Sequence, residues 1–114
     1  MIQLPKVTAK SLQDSQNTSK VPPQINEEFL RLLEQRLTRR GNWPAVYMFK
    51  FIIADSNRDY AMLRSLFGDE ARIFTRHSSG GKYISVTVKE MMLSPAEIVE
   101  RYRKASVIEG IIAL

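Results

Sequence analysis

The chain contains no cysteine and a single histidine, His77. The first absence excludes disulfides, zinc–thiolate sites, iron–sulfur clusters and thiol catalysis together. The second excludes histidine-rich metal sites and any mechanism that needs two imidazoles. No apolar run approaches the roughly 18–20 residues needed to cross a bilayer. The longest, from Val46 to Ala54, is interrupted by Lys50. Met1 to Lys6 have neither the apolar stretch nor the small-residue cleavage pattern of a secretory signal. A soluble, cytoplasmic protein without a membrane partner is therefore expected.

What remains is an ordinary globular composition. The chain has 114 residues, 44% of them hydrophobic, which supports one core but not two. Seventeen Lys and Arg against twelve Asp and Glu leave a net charge of +5. Lys6, Lys10 and Lys20 against Asp14 place two of those charges in residues 1–23. Arg39-Arg40 and Arg103-Lys104 each fall in the last turn of a predicted helix, where cations complement the helix dipole. The basic balance fits nucleic-acid binding, but no basic stripe accompanies it, so nucleic acid is a disfavoured partner.

Residues 1–23 are rich in Ser, Thr, Gln, Asn and Lys, lack an apolar period and end in Val21-Pro22-Pro23. Such a segment buries too little surface to offset the entropy of ordering, so a disordered tail is expected over 1–23, with a single domain over 24–114. In that domain Asn26 is a suitable N-cap. Phe29, Leu32, Leu33 and Leu37 recur at helical spacing, and Gly41 is a stop signal. These place a helix over about 27–40.

Ala45 to Ala54 is a nearly continuous apolar run, as expected of a central strand covered on both faces. Asp55-Ser56-Asn57 marks a turn and a cap, and a second helix is predicted to run to Phe67 and end at Gly68. A strand follows over Glu70 to Ser78, then a hairpin at Ser79-Gly80-Gly81. The next strand, Lys82 to Met92, alternates. Ile84, Val86 and Val88 face one way, and Tyr83, Ser85, Thr87 and Lys89 the other. Ser94-Pro95-Ala96-Glu97 opens a third helix with a capping box and proline at a position that needs no amide. Val107 to Leu114 reads as a last strand. The core over about 45–114 is thus β-α-β-β-α-β. The economical packing is an α+β, ferredoxin-like βαββαβ sandwich. It has a four-stranded antiparallel sheet, first and third strands central, two helices on one face, and an extra N-terminal helix.

Trp43-Pro44, Met48 to Ile52, Ser78 to Val88 and the ending Ile108 to Leu114 together resemble the YbeD-like family, small bacterial domains of unknown function. The resemblance covers about Asn26 to Leu114, and its most specific piece is the hairpin Ser78-Ser79-x-Gly81-x-Tyr83. It implies a sandwich similar to the ACT domain, a small-molecule sensor attached to many amino-acid enzymes. It implies a regulatory role and no catalytic residue. The helix at 27–40 and the tail lengthen this chain relative to the shortest members.

Lysine is rarely buried, so Lys50 sets the facing of the first strand. Phe49, Phe51 and Ile53 then point at the helices, and Val46, Met48 and Ile52 share the open face with Lys50. Tyr83, Ser85, Thr87 and Lys89 lie on that face of the third strand. On the second strand it carries Phe74 and Arg76, or else Ile73, Thr75 and His77. A face of this kind needs a cover. Either the 27–40 helix folds across it through its Phe29, Leu33 and Leu37 stripe, or a second copy pairs through it as a homodimer. The helix is favoured, because its own stripe must be buried.

Other motifs carry less. Ser78-Ser79-Gly80-Gly81-Lys82 is not a Walker loop, since Arg76 stands where glycine is required, Tyr83 follows the lysine, and a strand follows instead of a helix. An RNA-recognition surface on this topology needs stacking aromatics at alternate positions of the third strand, where Ser85 and Thr87 stand. His77 has no acidic or thiol partner at ligand spacing, Asp69-Glu70 lies in a loop, and Met91-Met92 closes a core edge. The resulting expectation is a non-enzymatic regulatory or adaptor domain without cofactor, binding a protein partner or small metabolite. The expected surface is Lys50, Arg76, Tyr83, Ser85, Thr87 and Lys89, with the hairpin Ser78, Ser79, Gly80 and Gly81. The alternative is a nucleic-acid-binding module using Arg76, Lys82, Lys89 and Tyr83.

Overall fold

A computed structural model describes residues 24–114 and, before them, only two short paired strands, Ile2–Gln3 and Lys6–Thr8. The tail expected over 1–23 otherwise lies outside the described residues. Helix α1 spans Glu27–Arg40. Its Asn26 side chain accepts from the Phe29 amide at 2.8 Å, and Glu27 and Glu28 occupy the first turn. It stops where Gly41 takes a positive φ of 71° and returns its N–H to the Leu37 carbonyl at 3.3 Å. The Trp43 indole donates to that same carbonyl at 3.1 Å, which holds the short link against the helix end.

Strand β1 (Ala45–Ala54), helix α2 (Asn57–Arg64), strands β2 (Arg72–His77) and β3 (Tyr83–Met92), helix α3 (Pro95–Ala105) and strand β4 (Ile112–Ala113) follow. The sheet is antiparallel throughout, in the order β2-β3-β1-β4, so β1 and β3 are the inner strands. They pair over their whole length, from Ala45 opposite Met92 to Ala54 opposite Tyr83. With a side-chain period of two, this register puts Phe49, Phe51 and Ile53 on the same side as Ile84, Val86 and Val88. All six are buried there with Ile98, Val99 and Tyr102 of α3 and Leu63 of α2. The Phe49 and Phe67 rings meet edge to face at 5.1 Å, and the Phe51 and Tyr102 rings lie 5.6 Å apart.

Three expected boundaries move. Helix α2 ends at Arg64, not Phe67, because the chain tightens there into i to i+3 turns: the Leu66 and Phe67 amides donate to the Leu63 and Arg64 carbonyls, both at 3.1 Å. The Ser65 hydroxyl donates to the Met62 carbonyl at 2.7 Å, and the Arg64 guanidinium reaches the Phe67 and Gly68 carbonyls at 3.1 and 3.3 Å. Phe67 is thereby folded into the core from a turn. Strand β2 begins at Arg72 and not Glu70. Strand β4 is two residues long, because the chain leaves α3 in successive turns (Ile108 amide to Ala105 carbonyl, Ile111 amide to Ile108 carbonyl) through Gly110 at φ 78°. At the start of α3, Ser94 accepts from the Glu97 amide at 3.2 Å, while the Glu97 carboxylate reaches back to the Leu93 amide at 2.7 Å.

The expected cover of the sheet by α1 is also corrected. Helix α1 packs beside α3 on the side already occupied by helices, so all three helices share one face. Leu30, Leu33 and Leu37 are its buried stripe, and Phe29 is only partly buried, edge to face with Tyr102 at 5.6 Å. Arg103 of α3 bridges to Glu27 at 3.1 Å. The reason is one of matching. A leucine stripe laid over the other face would have to desolvate a row of unpaired cations, whereas the α3 flank offers Val99 and Tyr102.

Leu33→Ala, at the seam of α1 with the core, is expected to lower the unfolding free energy by about 2–5 kcal/mol. Met48→Ala, on the far side of the sheet, should change it by less than about 0.5 kcal/mol. Urea denaturation of both variants measures the difference, and the reverse ranking would place α1 on the wrong face.

Candidate functional site: the open face of the sheet

The register builds the uncovered face in rows. Arg72 of β2 lies opposite Lys89 of β3, which lies opposite Met48 of β1. In the next row Phe74 is opposite Thr87 and Thr87 opposite Lys50, whose carbonyl accepts from the Leu114 amide at 2.9 Å. In the third, Arg76 meets Ser85, Ser85 meets Ile52, and Ile52 meets Ile112. Met91 and Val46 form one end, and Tyr83 stands at the hairpin end. Every expected strand residue of the surface (Lys50, Arg76, Tyr83, Ser85, Thr87 and Lys89) is therefore on this one face. The facing of β2 is decided in favour of Phe74 and Arg76.

Two properties stand out. Large apolar side chains remain in water, with Val46 at 59%, Met48 at 55%, Phe74 at 49% and Tyr83 at 52% exposure. The charge is also of one sign. The strand positions of this face hold Lys50, Arg72, Arg76 and Lys89 and no carboxylate, and none of the four pairs with a carboxylate among the described residues. Sequence reasoning missed Arg72, which its neighbour Lys89 locates only through the register. The Arg72 guanidinium and the Lys89 ammonium both lie over the Phe74 ring, 5.9 and 5.8 Å from its centroid. Phe74 thus sits between cations that its π-face stabilises.

The hairpin closes one end. The Ser78 amide donates to the Tyr83 carbonyl at 2.9 Å, the Tyr83 amide donates to the Ser78 hydroxyl at 3.2 Å, and Gly81 adopts φ 72°. Ser78 is thus spent on the turn. Ser78, Ser79, Tyr83, Arg76, Ser85 and Ile52 line a shallow depression of about 400 Å³ where hairpin and open face meet. Gly80 and Gly81 complete the turn beside it.

Other titratable clusters lie away from this face. His77 has a partner that sequence spacing did not reveal: its Nδ1 is 3.1 Å from the Asp55 carboxylate, which β1 delivers to the same end of the sheet. Thr75, His77 and Ile84 line a cavity of about 220 Å³ with Asp55, Ser56, Asn57 and Tyr60 on the helical side. Its Ser56 hydroxyl is committed to capping α2, accepting from the Asp59 amide at 3.0 Å. Glu90 and Arg101 form a half-buried ion pair, and Glu90 also accepts from the Gly68 amide at 3.1 Å, while Arg101 lies over Phe67. This cluster fastens α3 and the α2–β2 turn to the sheet. Among the described residues no group of three or more His, Asp and Glu side chains is arranged to hold a metal ion. Comparison with protein-family models, with curated proteins and with solved structures finds no match.

The Tyr47 and Tyr102 hydroxyls hydrogen-bond at 3.1 Å inside the helical layer. Burial, and then the neighbouring Tyr47, push the Tyr102 phenol well above its ordinary value. Tyr102 therefore stays neutral and structural. The folded state holds the Tyr102 proton more tightly than the unfolded chain, so stability is complete below the ordinary tyrosine pKa of 10.0 and falls as pH rises past it. Tyr102→Phe should flatten that alkaline loss. Urea midpoints of the two proteins between pH 8 and 11 check it, and parallel curves would contradict the assignment.

Proposed function

We propose that this chain is a small, non-enzymatic regulatory or adaptor domain, and that the open sheet face with its hairpin is where a protein partner or small metabolite binds. The observation that carries this reading is the uncovered face itself. A four-stranded surface that leaves Val46, Met48, Phe74 and Tyr83 in water beside four cations with no carboxylate partner among the described residues is costly to leave bare, and exposed apolar surface of this kind marks interaction sites. The strand order β2-β3-β1-β4, with crossover helices on one side, supports a ferredoxin-like, split βαβ reading, and hence the ACT-like fold that the YbeD-like resemblance implies. A cytoplasmic setting accords with it: no helix among the described residues is long and apolar enough to cross a membrane.

Nucleic acid is the second reading, favoured by the single sign of charge on the face. Two features weigh against it. Ser85 and Thr87 stand where an RNA-binding sheet presents stacking rings, and the Phe74 ring is already engaged by Arg72 and Lys89. Homodimerisation through this face is disfavoured as well, since it would bring four cations against four.

Pull-down from native extract with the full chain and with a Met48→Asp, Tyr83→Asp variant tests the proposal. The partner is expected to be retained by the wild type and reduced at least tenfold on the variant, with thermal midpoints alike. A steep fall in the affinity of an oligonucleotide with rising salt would favour the second reading. Equal retention by both proteins would remove the open face as the interface.

A further inference from the structure

Strand β2 is one of the two outer strands of the sheet, and five of its six side chains are exposed. Its inner edge is spent on β3. The Ser78 amide donates to the Tyr83 carbonyl, and the antiparallel alternation then turns the N–H and C=O groups of Arg76, Phe74 and Arg72 inward as well. The same alternation leaves the backbone groups of Ile73, Thr75 and His77 pointing outward with no strand beside them among the described residues. An unpaired edge of this kind is a template for a further strand.

The side chains state which strand. Arg72, Phe74 and Arg76 alternate along β2 on the open face, giving cation, aromatic, cation at every second residue. If a strand were added antiparallel, bonded to Ile73, Thr75 and His77, its residues opposite Arg72, Phe74 and Arg76 would form the non-hydrogen-bonded pairs. In those pairs the side chains approach most closely. A second copy of the same edge fails this test in the register that sets Phe74 opposite Phe74. Centred on Phe74, it would set Arg72 against Arg76 twice, and like charges directly opposite are destabilising.

We propose that the outer edge of β2 takes up an extended acidic segment of a partner protein as a fifth, antiparallel strand, reading the pattern acid–x–apolar–x–acid against Arg76, Phe74 and Arg72. This rests on the open face being the binding surface and names its partner's chemistry. Main-chain hydrogen bonds supply general affinity, and the alternate side chains supply selection. Lys89, stacked over Phe74 beside Arg72, extends the positive field inward from the edge, so a carboxylate opposite Arg72 meets two cations.

The test is selection of a random dodecapeptide display library on the full chain, followed by binding of the selected peptides to two variants. The selected peptides should share acid–x–apolar–x–acid, and an Arg72→Glu, Arg76→Glu protein should bind them at least tenfold more weakly. Peptides with lysine at the two acidic positions should recover binding to that variant, which a merely misfolded protein would not allow. Hydrogen exchange of the bound complex should slow at Ile73, Thr75 and His77. Peptides without the acidic pattern, lost on Met48→Asp but not on Arg72→Glu, Arg76→Glu, would overturn the edge-strand proposal and leave the open-face reading standing. Peptides indifferent to both variants would overturn both. An empty selection, with binding only of an oligouridylate or self-association at the sheet, would likewise reject the acidic strand.

Discussion

Everything in the domain hangs on the pairing of β1 with β3. These two ten-residue strands run antiparallel without a break, and their register decides which side chains face the helices. Phe49, Phe51 and Ile53 interleave with Ile84, Val86 and Val88 to make the floor on which α2 and α3 rest. A slip of β1 by one residue would carry Lys50 into that floor and the phenylalanines into water. The cost of burying that lysine, with the loss of the phenylalanine packing, strongly disfavours any other register. The outer strands then add to an edge that is already specified.

That single register also separates two chemistries. The helical side takes Phe49, Phe51, Phe67 and Tyr102 into one cluster and closes it with the Glu90–Arg101 pair, which ties α3 and the α2–β2 turn to the sheet. The other side keeps a mixed population, with four cations, short hydroxyls, and aliphatic or aromatic groups in water. Helix α1 does not relieve this. Its leucines find α3, where its own first turn pairs through Glu27 with Arg103. Among the described residues the sheet is therefore layered on one side only, and the exposed side is part apolar and positive. That combination suits a partner that brings carboxylates on an extended backbone better than one that brings bases to stack.

Much of this was legible along the chain, and for local reasons. The caps Asn26, Ser56 and Ser94, the glycine stop at Gly41 and the hairpin glycines act within three or four residues of themselves, so spacing alone exposes them. The alternation on β3 and the single lysine that sets the facing of β1 are equally local, and they assign Lys50, Tyr83, Ser85, Thr87 and Lys89 to one face. The end of α2 was not legible, because Arg64 can cap carbonyls three and four residues ahead only once Phe67 has a core to enter. The brevity of β4 was hidden too: an apolar run gives no sign of whether it will extend as a strand or curl as turns, and here Ile108 and Ile111 are buried from turns. Likewise His77 with Asp55, and Arg72 beside Lys89, are neighbours only across strands.

The sequence by itself determined the element order, the inward and outward sides of each inner strand and the chemistry of the two faces, since all three follow from periodicity and from the cost of burying lysine. Only the tertiary structure decided where α1 goes and what β2 presents. Those depend on which surface offers α1 the better apolar match, and on a register that aligns Arg72, Phe74 and Arg76 along one uncovered edge. The absence of cysteine and the single histidine narrow the chemistry through composition alone, whereas the exposure of Arg72 and Arg76 along β2 follows only from the register and the strand order.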